Sequence, residues 1–385
     1  MTRARTPIVA ALVALIDDHV WQPRFARAVD ELVACDVAAL AAIRTLDDWL
    51  AFLDEMVGWA PREAHDSLQV HDKLVTFHFL LDQPSLRDLQ TPGRPHATDP
   101  ELTPLSAWIV DFARAWGDFL DTPESAAHVD SFRTNPAFRW DDYMPPPSGY
   151  RTFNQFFARH VKPGRRPIDG CGDDDVLVAP ADATFIGQWP VAADSTIVVP
   201  DATLPLKGLR WSLAQLLAGS PYAQRFAGGT VTHSSLRTFD YHRWHAPAAG
   251  TVVEARVIQG RAWLDVRVEA ATVDGRRVNR IEAVEGTGYQ FLQTRGLVVL
   301  ETAAGLVACL PVGMAQVSSV VITAELGATL RKGEEMGYFQ FGGSDFVMVF
   351  ERGCGVRLEA QAQQHVPQGR RIGRLRSSEA RAVRP

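Results

Sequence analysis

The sequence predicts an α+β protein, with a helical N-terminal domain over residues 1–147 and a β-rich, mostly antiparallel domain over residues 148–385. Three observations predict it. Apolar residues recur at helical spacing before Pro145, whereas β-branched and apolar runs bounded by turns dominate from Val176 onward. Between them stands Pro145-Pro146-Pro147-Ser148-Gly149, where three prolines cannot continue a helix and stiffen a linker.

The N-terminal half begins with an apolar run from Pro7 to Ile16, shorter than the ~20 residues that span a bilayer. Arg3 and Arg5 precede it as in a signal peptide, but Asp17, Asp18 and His19 follow with no small-residue cleavage site, so a cytoplasmic protein is expected. Thr45 is placed to cap a helix whose one face carries Leu46, Trp49, Leu50, Leu53, Met56 and Val57. Asp82 to Pro100, rich in Pro and Asp, reads as a surface loop. Thr103 as cap and Pro104 at the first helical position open a second clear helix, striped with Leu105, Trp108, Ile109, Phe112, Trp116 and Phe119. Tryptophans are concentrated in this half, and core packing is the expected role for them, with the lining of a substrate pocket by some as the alternative.

After the linker, Thr152 caps a short helix over Phe153-Asn154-Gln155-Phe156-Phe157-Ala158-Arg159, followed by the turn Lys162-Pro163-Gly164. Arg159, Arg165 and Arg166 are expected on a solvated basic face. Strands are expected over Thr196–Val199, Thr251–Val257, Trp263–Val268, Leu297–Glu301 and Leu306–Leu310, with a hairpin loop at Ala303-Ala304-Gly305. One helix, with Leu213, Leu216 and Leu217 and closed by Gly219, interrupts them.

Composition narrows the function. Apolar residues make up 46% of the 385, enough for a sizeable core. The net charge of -6 and the mixing of signs leave no basic stretch for nucleic acid. Cys35, Cys171, Cys309 and Cys354 are scattered and form no C-x-x-C pair, so neither a disulfide frame nor a zinc site is expected. His242 and His245 stand at His-x-x-His spacing, but no third ligand is evident, and no metal is expected.

The stretch that carries chemistry is Tyr338-Phe339-Gln340-Phe341-Gly342-Gly343-Ser344-Asp345, followed by the apolar strand Val347 to Phe350. Glycines before a serine allow backbone angles that other residues refuse and leave the Gly343 carbonyl open to attack. A hydroxyl beside such a peptide attacks it if a base takes its proton. Read alone, the run is more simply a Gly-Gly turn before a strand, with Ser344 as a turn residue.

Taken with Tyr241-His242-Arg243-Trp244-His245-Ala246-Pro247, with Ala179-Pro180-Ala181-Asp182, with the Phe-Asn-x-Phe-Phe-x-Arg helix and its Lys-Pro-Gly turn, and with Lys332-Gly333-Glu334-Glu335-Met336-Gly337, this run resembles the phosphatidylserine decarboxylase family from about Phe153 to Gly373. The resemblance implies self-cleavage between Gly343 and Ser344, leaving a covalent pyruvoyl cofactor on residue 344 and two chains that stay associated. It implies His245 as the base and Asp182 as the acid that orients it. It further implies a Schiff base between the pyruvoyl carbonyl and a substrate amine, with carbon dioxide lost. His242, the nearest candidate along the chain, is expected to return the proton.

The sequence departs from the family at Asp345, where Thr or Ser is usual, and at Ala183, where Gly is usual. A carboxylate beside the new ketone is expected to slow maturation or to meet a substrate amine. The long helical N-terminal domain resembles a soluble branch that includes fungal tryptophan decarboxylases, which favours a free, aromatic L-amino acid as substrate over phosphatidylserine. Neither a hydrophobic anchor nor a basic amphipathic helix argues for membrane contact. Asp345 also motivates a reading of another class, a non-cleaving binding or scaffold module.

Overall fold

A computed structural model describes residues 4–63, 69–93, 95, 101–198, 210–273, 276–283, 289–314, 319–341 and 343–376. Arg3, Gly342, Val199 and, of the expected loop, Arg94 and residues 96–100 lie outside these. The first half is helical: α1 Pro7–Asp18, α2 Gln22–Ala34, α3 Leu46–Val57, α4 Gln69–Leu81, α5 Pro84–Arg87 and α6 Pro104–Leu120. Thr45 caps α3 through a capping box with Asp48, and Thr103 caps α6 with Pro104 behind it, as the spacing predicts. α5 lies within the stretch read as loop.

Strand structure begins at Tyr143, just before the prolines. Two short helices, α7 Phe153–Phe157 and α8 Leu213–Leu217, punctuate the second half. Thr152 caps α7 by accepting the Gln155 N–H, and the chain leaves α8 through left-handed Ala218 and Gly219. The main sheet has eight strands in the spatial order Thr329–Leu330, Gly250–Ile258, Arg295–Thr302, Gly305–Met314, Gly343–Phe350, Thr230–Leu236, Ala183–Pro190 and Gln364–Val366. Every named strand pair among the described residues is antiparallel. Ala303-Ala304 form the turn of the expected hairpin. The run expected from Trp263 instead forms its strand at Val266–Val273, paired with Arg276–Ala283. A second sheet places Glu335–Phe339 between Val320–Ile322 and Arg243–His245.

The strand Gly343–Phe350, hereafter the serine strand, is central: it pairs with Gly305–Met314 on one side and Thr230–Leu236 on the other. Its side chains alternate between two cores. Phe346, Met348 and Phe350 join the apolar cluster that also holds Trp49, Phe77, Trp108 and Trp116 from the helices. Val347 and Val349 join a separate cluster built on Trp211, Leu216, Phe291 and Leu310. The helical half therefore shares a core with one face of the serine strand.

Trp116 of α6 is the clearest link, fully buried with its ring 5.0 Å from that of Phe341, three residues before Ser344. Trp116→Ala is expected to destabilise the protein by about 3–5 kcal/mol, read from denaturant unfolding.

Candidate active site

Ser344 is the second residue of the serine strand, facing Gly313 and Leu236 in register. It is 2% exposed, and its hydroxyl has no hydrogen-bond partner among the described residues. An orphaned hydroxyl in a central strand is unfavourable unless it serves a purpose. The segment entering the strand is pinned from the helical side: Asn154 Oδ1 of α7 accepts the Phe341 N–H at 3.0 Å, and the Phe341 ring meets Trp116, Phe153 and Phe157.

His242 lies against this aromatic layer, its ring centroid 3.9 Å from that of Phe157, and its carbonyl accepts the Phe339 N–H. It is fully buried. Burial pushes its pKa well below the ordinary range and the Arg159 charge adds to this, while the Asp240 backbone opposes them weakly. The ring is neutral, surrounded by aromatic groups.

His245 ends the strand Arg243–His245. Its Nδ1 lies 3.0 Å from the Gly333 carbonyl and its Nε2 lies 3.1 Å from the Tyr241 hydroxyl. A carbonyl only accepts, so Nδ1 carries the proton and Nε2 is the basic nitrogen. Burial lowers the His245 pKa, against the opposing Gly333 and Glu335. Gly333 reaches this position at φ 82°, where a Cβ would run into Ile168.

Asp182 is fully buried, but it does not touch His245. Arg166 grips it with two donors, Nε to Oδ1 at 2.8 Å and Nη2 to Oδ2 at 2.5 Å, and the Gln368 N–H donates to Oδ1 at 2.8 Å. Arg139 stands 3.6 Å away. Burial opposes the charge on Arg166, but the pairing with Asp182 more than offsets it, so its pKa is raised. The expected orienting role toward His245 is thus filled here by the Gly333 carbonyl. The solvated basic face is also corrected. Arg165 is exposed, but Arg166 is half-buried with its side chain turned onto Asp182, and Arg159 is buried with its Nη2 donating to the Phe239 and Asp240 carbonyls.

The structure brings Asp182, Tyr241 and His245 into one buried polar region and sets His242 beside the chain that enters Ser344. It does not join Ser344 to either histidine by a hydrogen bond. Tyr241, Gly333, Arg166 and Gln368 are the residues that reasoning from sequence missed. Tyr241 lies inside the quoted His motif, and burial raises its hydroxyl pKa, so it is a neutral donor to Nε2. The expected contact of Asp345 with the ketone side is overturned, because alternation along the strand sends its carboxylate to the opposite face from Ser344.

A neighbouring ion pair ties residues 344–385 to the rest. His365 Nε2 lies 2.9 Å from Oδ1 of the buried Asp240. That hydrogen bond raises the His365 pKa, against some burial. A histidine with a raised folded-state pKa stabilises fully below its unfolded value, near 6.5, and loses that contribution as pH rises through the folded value. The melting temperature of the wild type is therefore expected to exceed that of His365→Ala most below about pH 6.5, with the gap closing as pH rises through the raised folded-state value.

A family profile described as phosphatidylserine decarboxylase matches residues 153–374. The chain is 30% identical over 231 residues to phosphatidylserine decarboxylase proenzyme 3 of Schizosaccharomyces pombe, covering 60% of this chain and 22% of that one. It is 29% identical over 237 residues to the phosphatidylserine decarboxylase proenzyme of Fusobacterium nucleatum, covering 62% and 72%. It is 28% identical over 265 residues to decarboxylase iboD of Amanita muscaria, covering 61% and 74%. The match thus spans under a quarter of the fission-yeast relative and most of the other two. The chain belongs to the phosphatidylserine decarboxylase family, a family of pyruvoyl-dependent carboxy-lyases.

Proposed function

We propose that this protein cuts itself between Gly343 and Ser344 and then decarboxylates a free L-amino acid, with an aromatic one favoured. The observation that carries the proposal is the buried, unpartnered Ser344 hydroxyl at the head of a central strand, directly after Gly343. In the cut, Ser344 Oγ attacks the Gly343 carbonyl and its proton passes to a base. The amide becomes an ester; β-elimination then expels the Gly343 carboxylate and leaves a dehydroalanine at residue 344, whose imine tautomer is hydrolysed by water to the ketone with loss of ammonia. The pyruvoyl group so formed supplies a carbonyl that condenses with an amine and draws off electrons as carbon dioxide leaves.

His245 suits the role of base, because Gly333 fixes its tautomer and burial keeps it neutral at physiological pH. Tyr241 occupies the basic Nε2, so the base becomes available when that hydroxyl turns aside. His242, neutral and beside the entering segment, is assigned the return of a proton to the product carbon. Asp182 acts one step back, holding Arg166 and the backbone of Gln368 so that the short fragment stays seated. That fragment contributes most of the serine strand together with Gln364–Val366 and Arg371–Arg374, all paired with strands of the long fragment, which supports two chains that remain associated.

The long helical N-terminal half, which resembles the soluble branch, supports a free amino acid, and one relative is named decarboxylase iboD rather than phosphatidylserine decarboxylase. The relatives named phosphatidylserine decarboxylase proenzyme favour a lipid substrate as the second reading. Carbon dioxide release from L-tryptophan and from phosphatidylserine, each with and without detergent, separates them. Turnover of the lipid alone would overturn the amino-acid reading. The non-cleaving module loses its motive, since Asp345 faces away from Ser344. A single intact band on a denaturing gel after prolonged incubation would nevertheless restore it.

Ser344→Ala is expected to leave one uncut chain of normal stability. The lowered pKa of His245 adds a pH signature. A base is active when unprotonated, so the acid limb of the cleavage rate is expected below about pH 6.5, the ordinary histidine value. A limb at or above that pH would remove His245 from the role.

A further inference from the structure

Directly behind Ser344, on the other face of the same strand, lies a polar cluster that the proposed chemistry does not use. Asp345 is 1% exposed. Its Oδ2 accepts from Gln290 Nε2 at 2.8 Å and lies 3.2 Å from His233 Nε2. Gln290 Nε2 and His233 Nε2 are 3.3 Å apart, and both residues are buried. His233 comes from the adjacent strand, where its register partner is Val347, so it meets Asp345 diagonally across the pair. Gln290 comes from the helical turn Tyr289–Leu292, whose Phe291 and Leu292 pack into the same apolar cluster as Val347 and Val349.

Three elements distant in sequence thus converge on the first side chain after the serine. A one-residue slip of the strand would carry the Asp345 carboxylate to the face of Phe346 and Met348 and leave Gln290 and His233 without it. Burying that carboxylate among apolar groups is prohibitive, so the cluster permits one register. The same slip would rotate Ser344 away from its present face. Once the 343–344 bond is gone, residue 344 also loses its tether on the N-terminal side. Asp345 is then the first residue of the short fragment whose side chain is held by partners in the long one.

We propose that Asp345, His233 and Gln290 form a buried clamp that fixes the depth and rotation of residue 344, before the cut and after it. The three are positioning residues, acting on Ser344 through the strand. The inference rests on the self-cleavage proposed above.

The test uses the full chain and follows the cut fraction over time on denaturing gels, with near-ultraviolet circular dichroism to establish folding. Asp345→Ala is expected to cut at least about tenfold more slowly than wild type, the scale set by small misplacements of reacting groups. Asp345→Asn is expected to restore the rate to within about threefold, because the carboxamide oxygen, in the place of Oδ2, still accepts from Gln290 Nε2 and from an Nε2–H of His233. If Asp345→Ala does not fold, Gln290→Ala carries the test and is expected to cut about threefold more slowly while Asp345 keeps its contact with His233. A folded Asp345→Ala, or in its place a folded Gln290→Ala, that cuts at the wild-type rate overturns the clamp and leaves self-cleavage standing. Asp345→Asn as slow as Asp345→Ala also overturns it, because the charge rather than the anchoring would then be what matters. A wild-type chain that never cuts overturns both proposals.

Discussion

The two-faced environment of the serine strand is the constraint on which the other features hang. A central antiparallel strand has partners on both edges, so its backbone is fixed and only its side chains remain to be satisfied. On one face they are satisfied by the aromatic core shared with the helices, except at Ser344. On the other, apolar packing gives way to hydrogen bonds at Asp345. The Ser344 hydroxyl thus sits without a hydrogen-bond partner among the described residues, in a strand held on both edges.

The helical half is part of this arrangement. Trp116 of α6 joins Asn154, Phe153 and Phe157 of α7 around Phe341, just ahead of Gly343, while the neighbouring strands hold the residues just after it. The helical half thus contributes one wall to a segment otherwise held by the β-rich half.

Much of this was legible in the residues, and the limits have physical causes. The capped helices at Thr45, Thr103 and Thr152 follow from local chemistry that needs no tertiary partner, and the structure has them there. The change from helix to strand near the three prolines was legible for the same reason. The strand Thr230–Leu236 was not anticipated, because Thr232, His233, Ser234 and Ser235 break the apolar pattern. It is buried by its neighbours, not by its own composition. Arg159 and Arg166 read as solvated because isolated arginines usually are, and only the fold brings carbonyls and Asp182 to them. The candidate residues were found by motif. Their partners were not, since Asp182 and Gln368 are 186 positions apart and His245 and Gly333 are 88 apart. Asp345 was misjudged because adjacency in sequence suggested adjacency in space, which a strand's alternation forbids.

The hydrogen bond from His245 to the Gly333 carbonyl carries an evolutionary consequence. An acceptor that belongs to the main chain cannot be deleted by exchanging a side chain, so imidazole orientation survives most codon changes around it. Drift at position 333 is instead filtered by shape: an added methyl collides with Ile168 and demands a left-handed backbone that few residues tolerate. Any requirement on the tautomer thereby becomes one of steric fit in a tight turn, where Ile168 is the side chain that an added methyl at 333 would displace.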